Sequence, residues 1–330
     1  MNNAVFLGLL DYLPRAFPPP LREQLSGRAR ILGADIDGTN WRASAGLLSQ
    51  AEVVFSTWGM PVMDADFLAC ARNLRSVFYA AGSVKGFATP EAYERGINIS
   101  SAWAANAIPV AEYTVATVLL SLKRFWHFCQ STRETKSFRK ERPVPGGYRT
   151  KVGLVSLGAV GKLVARKLGG FELDLLAHDP FADPEGAQEL GVSLVTLEDL
   201  FARCDVVSLH TPWLPETENL VNGRLLRSMK EGATLVNTSR GAVINEPELC
   251  EVLAERPDLT AILDVTYPEP PPPESPLYTL SNVLLTPHIA GSMGGEIARM
   301  GRWMTDEYFR FLDGLPLKHS VSRGMLAKMA

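Results

Sequence analysis

KVGLVSLGAVGKLVARKLGGFELDLLAHDP, residues Lys151 to Pro180, is the stretch on which the fold turns. Val152, Leu154, Val155 and Leu157 make an apolar run too short for a helix, and Gly158 and Gly161 follow at the spacing where a buried strand turns into one. Leu163, Val164 and Leu168 continue as an amphipathic helix, and Leu173 to Leu176 as a second buried strand. Asp179 closes that strand about 20 residues after the glycines, where a carboxylate can accept hydrogen bonds from a ribose diol. Unpaired N–H groups at the helix start carry the positive end of its dipole. Gly158, Ala159, Val160 and Gly161 can therefore seat a pyrophosphate if no side chain blocks its approach. Asp179 would repel a 2′-phosphate, which favours NAD over NADP.

One position departs from the Gly-x-Gly-x-x-Gly fingerprint: its first glycine is Ser156. With a negative φ the turn closes without strain; with a positive φ the cost is on the order of 1 kcal/mol, tolerable for a fold. Two glycines alone fit a close-packed strand–helix corner about as well as a phosphate seat. Asp179 and the strand before it weigh toward the dinucleotide.

The chain has 330 residues, 46% hydrophobic and 21% charged, which suits two soluble globular domains and excludes disordered and fibrous classes. A net charge of −3 gives no electrostatic footprint for nucleic acid or an anionic membrane. Cys70, Cys129, Cys204 and Cys250 show no metal-ligand spacing; reduced, buried thiols in a cytoplasmic protein are the expectation, with no metal site. The start, MNNAVFLGLLDYLPRAFPPP, lacks a basic leader region and reads as a first strand. No segment reads as long and apolar enough to span a bilayer.

Up to about residue 104, short apolar runs (Val5 to Leu10, Ala29 to Leu32, Val53 to Ser56, Leu74 to Ala80, Ile97 to Ser100) alternate with helical stretches such as Pro20 to Leu25 and Asp64 to Arg72. This predicts an α/β domain with a parallel sheet. Ala107 to Gln130 is the longest helical pattern and reads as a connector; Ser131 to Tyr148 reads as a loop or arm that packs on another subunit. After Asp179 strands are predicted at Val192 to Val195, Val206 to His210, Thr234 to Thr238, Ala261 to Val265 and Val283 to Thr286, completing a doubly wound sheet. Ligands of such sheets sit outside the carboxyl ends of the strands, which singles out His210, Thr211, Ser239, Arg240, Asp264 and His288. A helical segment, Gly294 to Leu312, and a tail finish the chain.

Behind SLGAVG, the strings LVNTSRGAVINEPEL, ILDVTYPEP and NVLLTPHIAGS stand in an order that resembles the NAD-dependent D-isomer-specific 2-hydroxyacid dehydrogenases. The likeness runs from about Leu74 to Gly291 and is specific as a set. It implies two doubly wound parallel-sheet domains: a flavodoxin-like substrate-binding domain, 1–104 with 294–330, and a Rossmann NAD-binding domain inserted as 105–293. It also implies catalysis by Arg240, Glu269 and His288, with Thr211 and Pro212 lining the nicotinamide–ribose side, Thr238 and Ser239 passing beneath the cofactor, and Asp264 approaching the nicotinamide amide. A homodimer built on the inserted domain, near Ala107 to Tyr148, is implied as well.

The reaction justifies those residue types. Taking a hydride from C2 of a 2-hydroxy acid requires a base on the hydroxyl, and histidine suits this best. In reverse, His288 donates a proton to a 2-keto acid. A glutamate on the other ring nitrogen fixes the tautomer and stabilises the cation. Arginine offers a planar fork for the substrate carboxylate and polarises the keto oxygen. Alone, each residue reads more simply as structural: a strand-end histidine, a loop-capping arginine, a solvated glutamate. Thr238 and Ser239 equally read as strand-end turn chemistry, and Asp264 as a capping carboxylate.

The family's Gly-Val-Gly-Val-Asp loop, which binds the substrate carboxylate, corresponds here to AAGSVKG, Ala80 to Gly86. Gly82 and Ser83 are the substrate-binding candidates; Lys85 replaces an aspartate, as a structural lysine or as an attraction for a second anionic or polyhydroxylated end. Trp103 and Trp58 border a pocket or serve as interdomain packing. Two other readings follow from the same residues. Formate enzymes of this type carry glutamine where Glu269 stands, which disfavours formate oxidation. A dinucleotide-sensing protein of the corepressor type is the alternative of a different class.

Overall fold

The structure is a computed structural model and describes residues 1–140, 143–326 and 329. Its first six strands are β1 (Asn2–Gly8), β2 (Ala29–Ile31), β3 (Ile36–Asp37), β4 (Val53–Ser56), β5 (Ser76–Tyr79) and β6 (Asn98–Ser101). They pair in parallel in the order β2-β1-β4-β5-β6, with β3 beside the end of β1. Setting β3 aside, this is the flavodoxin-like order. Successive residues alternate between two apolar layers: Val5, Leu7, Val54 and Val77 face one, Phe6, Phe55 and Phe78 the other. Burial on both faces explains why these strands read as unbroken apolar runs.

The second sheet holds β7 (Lys151–Val155), β8 (Asp174–His178), β9 (Val192–Leu194), β10 (Val206–Leu209), β11 (Thr234–Asn237), β12 (Thr260–Leu263) and β13 (Val283–Leu285). Its all-parallel order is β13-β12-β11-β10-β7-β8-β9, a Rossmann sheet with one strand added at the edge. The order reverses between β7 and β10, and that is where a doubly wound sheet takes its ligand. The chain divides into a unit of Met1–Asn106 with Ser292–Met329 and a unit of Ala107–Gly291. The fold class agrees with the sequence reading.

Four expectations need correction. The connector is two helices, Trp103–Ser121 and Phe125–Thr135, because Arg124 between them takes a left-handed conformation with φ of 49°. Ser131 to Thr135, expected in a loop, therefore belong to a helix; 141 and 142 of the expected arm lie outside the described residues. The Trp103–Ser121 helix, 19 residues long, is by length and composition apolar enough to cross a membrane. It is a core helix: Ala111 and Val118 are fully buried, and Thr114 hydrogen-bonds Thr238 within the second unit. The thiols are free but not uniformly buried: Cys204 is buried, with its pKa pushed up to about 12 by desolvation, while Cys129 is exposed.

Candidate active site

The phosphate seat forms where β7 meets the helix Ala159–Leu168. Gly158 is its N-cap and no side chain caps the first turn, so the leading N–H groups stay available. Nothing stands within 4 Å of where a Cβ on Gly158 would project, which leaves the backbone approachable. Gly161 works differently: a Cβ there would lie 2.2 Å from the Ser156 carbonyl oxygen, so only glycine lets the first turn close on the strand end. Ser156 takes the strained option, with φ of 77°. Its hydroxyl sits 3.0 Å from that of Thr211, linking the ends of β7 and β10.

Asp179 follows β8 and braces the same turn. Its Oδ2 accepts from the N–H of Leu157 at 2.8 Å and its Oδ1 from that of Phe181 at 2.8 Å. Each carboxylate oxygen keeps a second lone pair, so a ribose diol remains within its capacity. An uncapped helix start, an open glycine and a braced carboxylate together fit a dinucleotide.

The catalytic candidates of the second unit come from three adjacent strand ends. Arg240, after β11, has extended backbone and donates from Nη1 to the Ser239 carbonyl at 2.6 Å. Burial holds its pKa below the ordinary arginine value, partly opposed by the charge of Glu269. Arg240 and Glu269 thus feel each other's field without a direct ion pair among the described residues. Gly241 lets the loops meet: a Cβ on it would overlap the Thr266 backbone. Glu269, after β12, reaches His288 directly, with Oε1 2.6 Å from Nδ1. The two side chains are about half exposed, at 43% and 50%.

His288 stands on a strained turn, with φ of 54°. Asp264 holds it there. Its Oδ1 accepts from the Thr286 hydroxyl at 2.6 Å and the Ile289 N–H at 2.8 Å, its Oδ2 from the Ala290 N–H at 2.9 Å, and its carbonyl from the His288 N–H at 3.0 Å. Since Thr286 gives its proton to Asp264, the Tyr113 hydroxyl 3.1 Å away is the donor to Thr286. A cavity of about 400 Å³ opens beside the pair, lined by Asp264, Glu269, Thr286 and His288 with Tyr278 and prolines. Another of about 760 Å³ lies around Thr234, Thr260 and Asn282, at the amino ends of the strands and away from this chemistry.

Of the remaining candidates, Thr211 is buried, and Thr238 and Ser239 lie in the turn after β11, where Asn237 Oδ1 takes both the N–H and the hydroxyl of Ser239. Gly82 and Ser83 belong to the first unit, in the turn after β5, where the Ser83 hydroxyl accepts from the Lys85 N–H at 3.4 Å. Sequence reasoning missed the support of the His288 turn by Tyr113 and Thr286, which joins positions 173 residues apart. It also missed Trp213 and Tyr267, whose only signal is their place on strand-end loops.

The family model for the NAD-binding domain of D-isomer-specific 2-hydroxyacid dehydrogenases matches residues 115–290. The chain belongs to the D-isomer-specific 2-hydroxyacid dehydrogenase family. Among similar members, the D-3-phosphoglycerate dehydrogenase of Archaeoglobus fulgidus is 33% identical over 260 residues, 79% of this chain and 49% of that protein. The chain thus spans about half the length of that relative. A glyoxylate reductase of Korarchaeum cryptofilum is 33% identical over 256 residues, 76% of this chain and 77% of its own. Among solved structures, a Thermus thermophilus protein superposes with a TM-score of 0.78 at 28% identity, covering 97% of this chain and 100% of that one. The NAD complex of a Lactobacillus delbrueckii family member, 19% identical, shares the fold with a TM-score of 0.80, covering 97% and 100%. The second unit is accordingly a Rossmann NAD-binding domain.

Proposed function

We propose that the protein is an NAD-dependent D-2-hydroxyacid dehydrogenase that works chiefly as a 2-keto acid reductase, with His288 as its acid and base. The contact between Glu269 Oε1 and His288 Nδ1, at 2.6 Å, is the observation that carries this reading. It fixes one ring nitrogen and leaves Nε2 as the one that exchanges a proton. Gly158, Ala159, Val160 and Gly161 hold the cofactor's pyrophosphate and Asp179 its adenosine ribose; Thr211, Pro212, Thr238 and Ser239 line the nicotinamide half. When bound, the reduced nicotinamide supplies the hydride.

The chain's own residues do the rest. Arg240 binds the substrate carboxylate and draws electron density toward the keto oxygen. His288 Nε2 gives that oxygen its proton in reduction and recovers it from the hydroxyl in oxidation. Glu269 keeps the ring oriented and offsets the imidazolium charge, while Asp264 keeps the turn beneath it in place. The assembly is a homodimer built on the second unit near 107–148, which size measurement in solution tests.

Following NADH consumption with a panel of 2-keto acids tests the activity. Steady oxidation with at least one acid is expected. NADH binding without turnover of any acid would replace the enzyme by a dinucleotide sensor.

A further inference from the structure

Two large aromatic side chains at the carboxyl edge of the second sheet take no part in the chemistry above. Trp213 lies on the loop after β10 and is 38% exposed; Tyr267 lies on the loop after β12 and is 53% exposed. Their rings meet edge-on with centroids 4.9 Å apart and planes at 63°. The indole is anchored, Nε1 donating to Glu218 Oε2 at 3.3 Å.

The strand between them is β11, whose exit carries Arg240, so the ring pair bridges the loops on either side of that arginine. The three loops are tied together. Asn219 and Val221 donate to the carbonyls of Ala242 and Val243 at 2.9 and 3.0 Å, and Gly241 packs its backbone on that of Thr266. Tyr278, 52% exposed, adds a third aromatic ring beside His288 and Glu269.

Charge completes the picture. In the loops that follow β7 to β13, Arg240 is the one lysine or arginine, whereas the same loops carry Glu216, Glu218, Glu269 and Glu274; of these, Glu269 acts on Arg240 through its charge and Glu218 holds the Trp213 indole. A keto acid whose carboxylate occupies Arg240 finds no second cation in these seven loops. Its side chain meets aromatic rings and carboxylates instead.

We infer that Trp213 and Tyr267 recognise the substrate's side chain and that the protein selects 2-keto acids with uncharged apolar side chains, aromatic ones included, over phosphorylated or dicarboxylic ones. This rests on the dehydrogenase reading and adds a substrate class to it. Edge and face contacts to aromatic rings favour such side chains, whereas bringing a second anion to loops that hold Glu218 and Glu269 and no cation besides Arg240 opposes the others.

The test compares kcat/KM for phenylpyruvate, 4-methyl-2-oxopentanoate, glyoxylate, 3-phosphohydroxypyruvate and 2-oxoglutarate in the wild type, Trp213→Ala, Trp213→Phe and Tyr267→Ala. The two apolar acids should lead the phosphorylated and dicarboxylic acids by about tenfold or more. In each alanine variant the ratio of phenylpyruvate to glyoxylate efficiency should fall about threefold or more, chiefly through KM, with Trp213→Phe retaining most of it. Glyoxylate has no side chain, so general damage to the loops lowers both acids and leaves the ratio in place. A ratio that holds within threefold, or a wild type led by 3-phosphohydroxypyruvate or 2-oxoglutarate, overturns the inference while leaving the dehydrogenase intact. No turnover with any of the five removes the dehydrogenase reading and this inference with it.

Discussion

Asp264 fixes the turn that carries His288: its carbonyl accepts the His288 N–H at 3.0 Å, while its carboxylate accepts the next two N–H groups, of Ile289 and Ala290. The carboxylate is 2% exposed as part of its residue and takes three hydrogen bonds, so it works as an all-acceptor group in a dry place. Asp264→Asn puts an NH₂ where N–H or O–H donors point. It should cost about 2 kcal/mol of stability, and it should lower kcat because the histidine loses its fixed height over the site. Urea unfolding and steady-state kinetics on one preparation check both.

Asp179 braces the turn after β7, and in the proposed function it also holds the adenosine ribose, so one substitution should expose both. Asp179→Ala frees the Leu157 and Phe181 N–H groups it now accepts, costing about 1 kcal/mol. On the proposed ribose assignment it also removes the charge that opposes a 2′-phosphate, so the ratio of NADPH to NADH efficiency should rise. A wild type that already prefers NADPH would contradict the ribose assignment.

Ser156 combines a strained backbone with a useful hydroxyl. Both Ser156→Gly and Ser156→Ala lose the contact with Thr211, but only glycine relieves the φ of 77°. The glycine variant should therefore be more stable than the alanine variant by about 1 kcal/mol. Equal stabilities in chemical denaturation would show that the turn relaxes without strain.

His210 makes stability depend on acid. Its ring nitrogens are buried without a hydrogen-bond partner, and burial pushes its pKa down to about 4 from 6.5. Below 6.5 the unfolded chain takes up a proton that the native protein refuses until about 4. The contribution is therefore complete above 6.5 and is lost as pH falls through that window, on the order of 3 kcal/mol. His210→Phe should lose correspondingly less stability than the wild type between those two pH values, read as the difference between their unfolding free energies.

Burial decided what could be read in the chain. Strands such as Val53–Ser56 and Val206–Leu209 are apolar on both faces and stand out unaided, as does the glycine turn after β7. β3 is two residues long and gives no pattern. The break at Arg124 has no sequence signal because no glycine or proline marks it; an arginine takes the left-handed conformation instead. Arg240, Glu269 and His288 are marked in the sequence only by motifs, each at its own strand end. The brace from Tyr113 through Thr286 to Asp264 was invisible because hydrogen bonds between distant positions leave no local periodicity. Trp213 and Tyr267 touch only because β10 and β12 flank β11, which is a property of sheet order.

The most direct trial of the account is single-turnover reduction of a 2-keto acid by His288→Asn, with NADH affinity measured separately by fluorescence. Loss of the proton donor should slow the chemical step by about 10²- to 10⁴-fold while NADH binds within about twofold of wild type. A variant that keeps about a tenth or more of the wild-type rate would show that another group moves the proton.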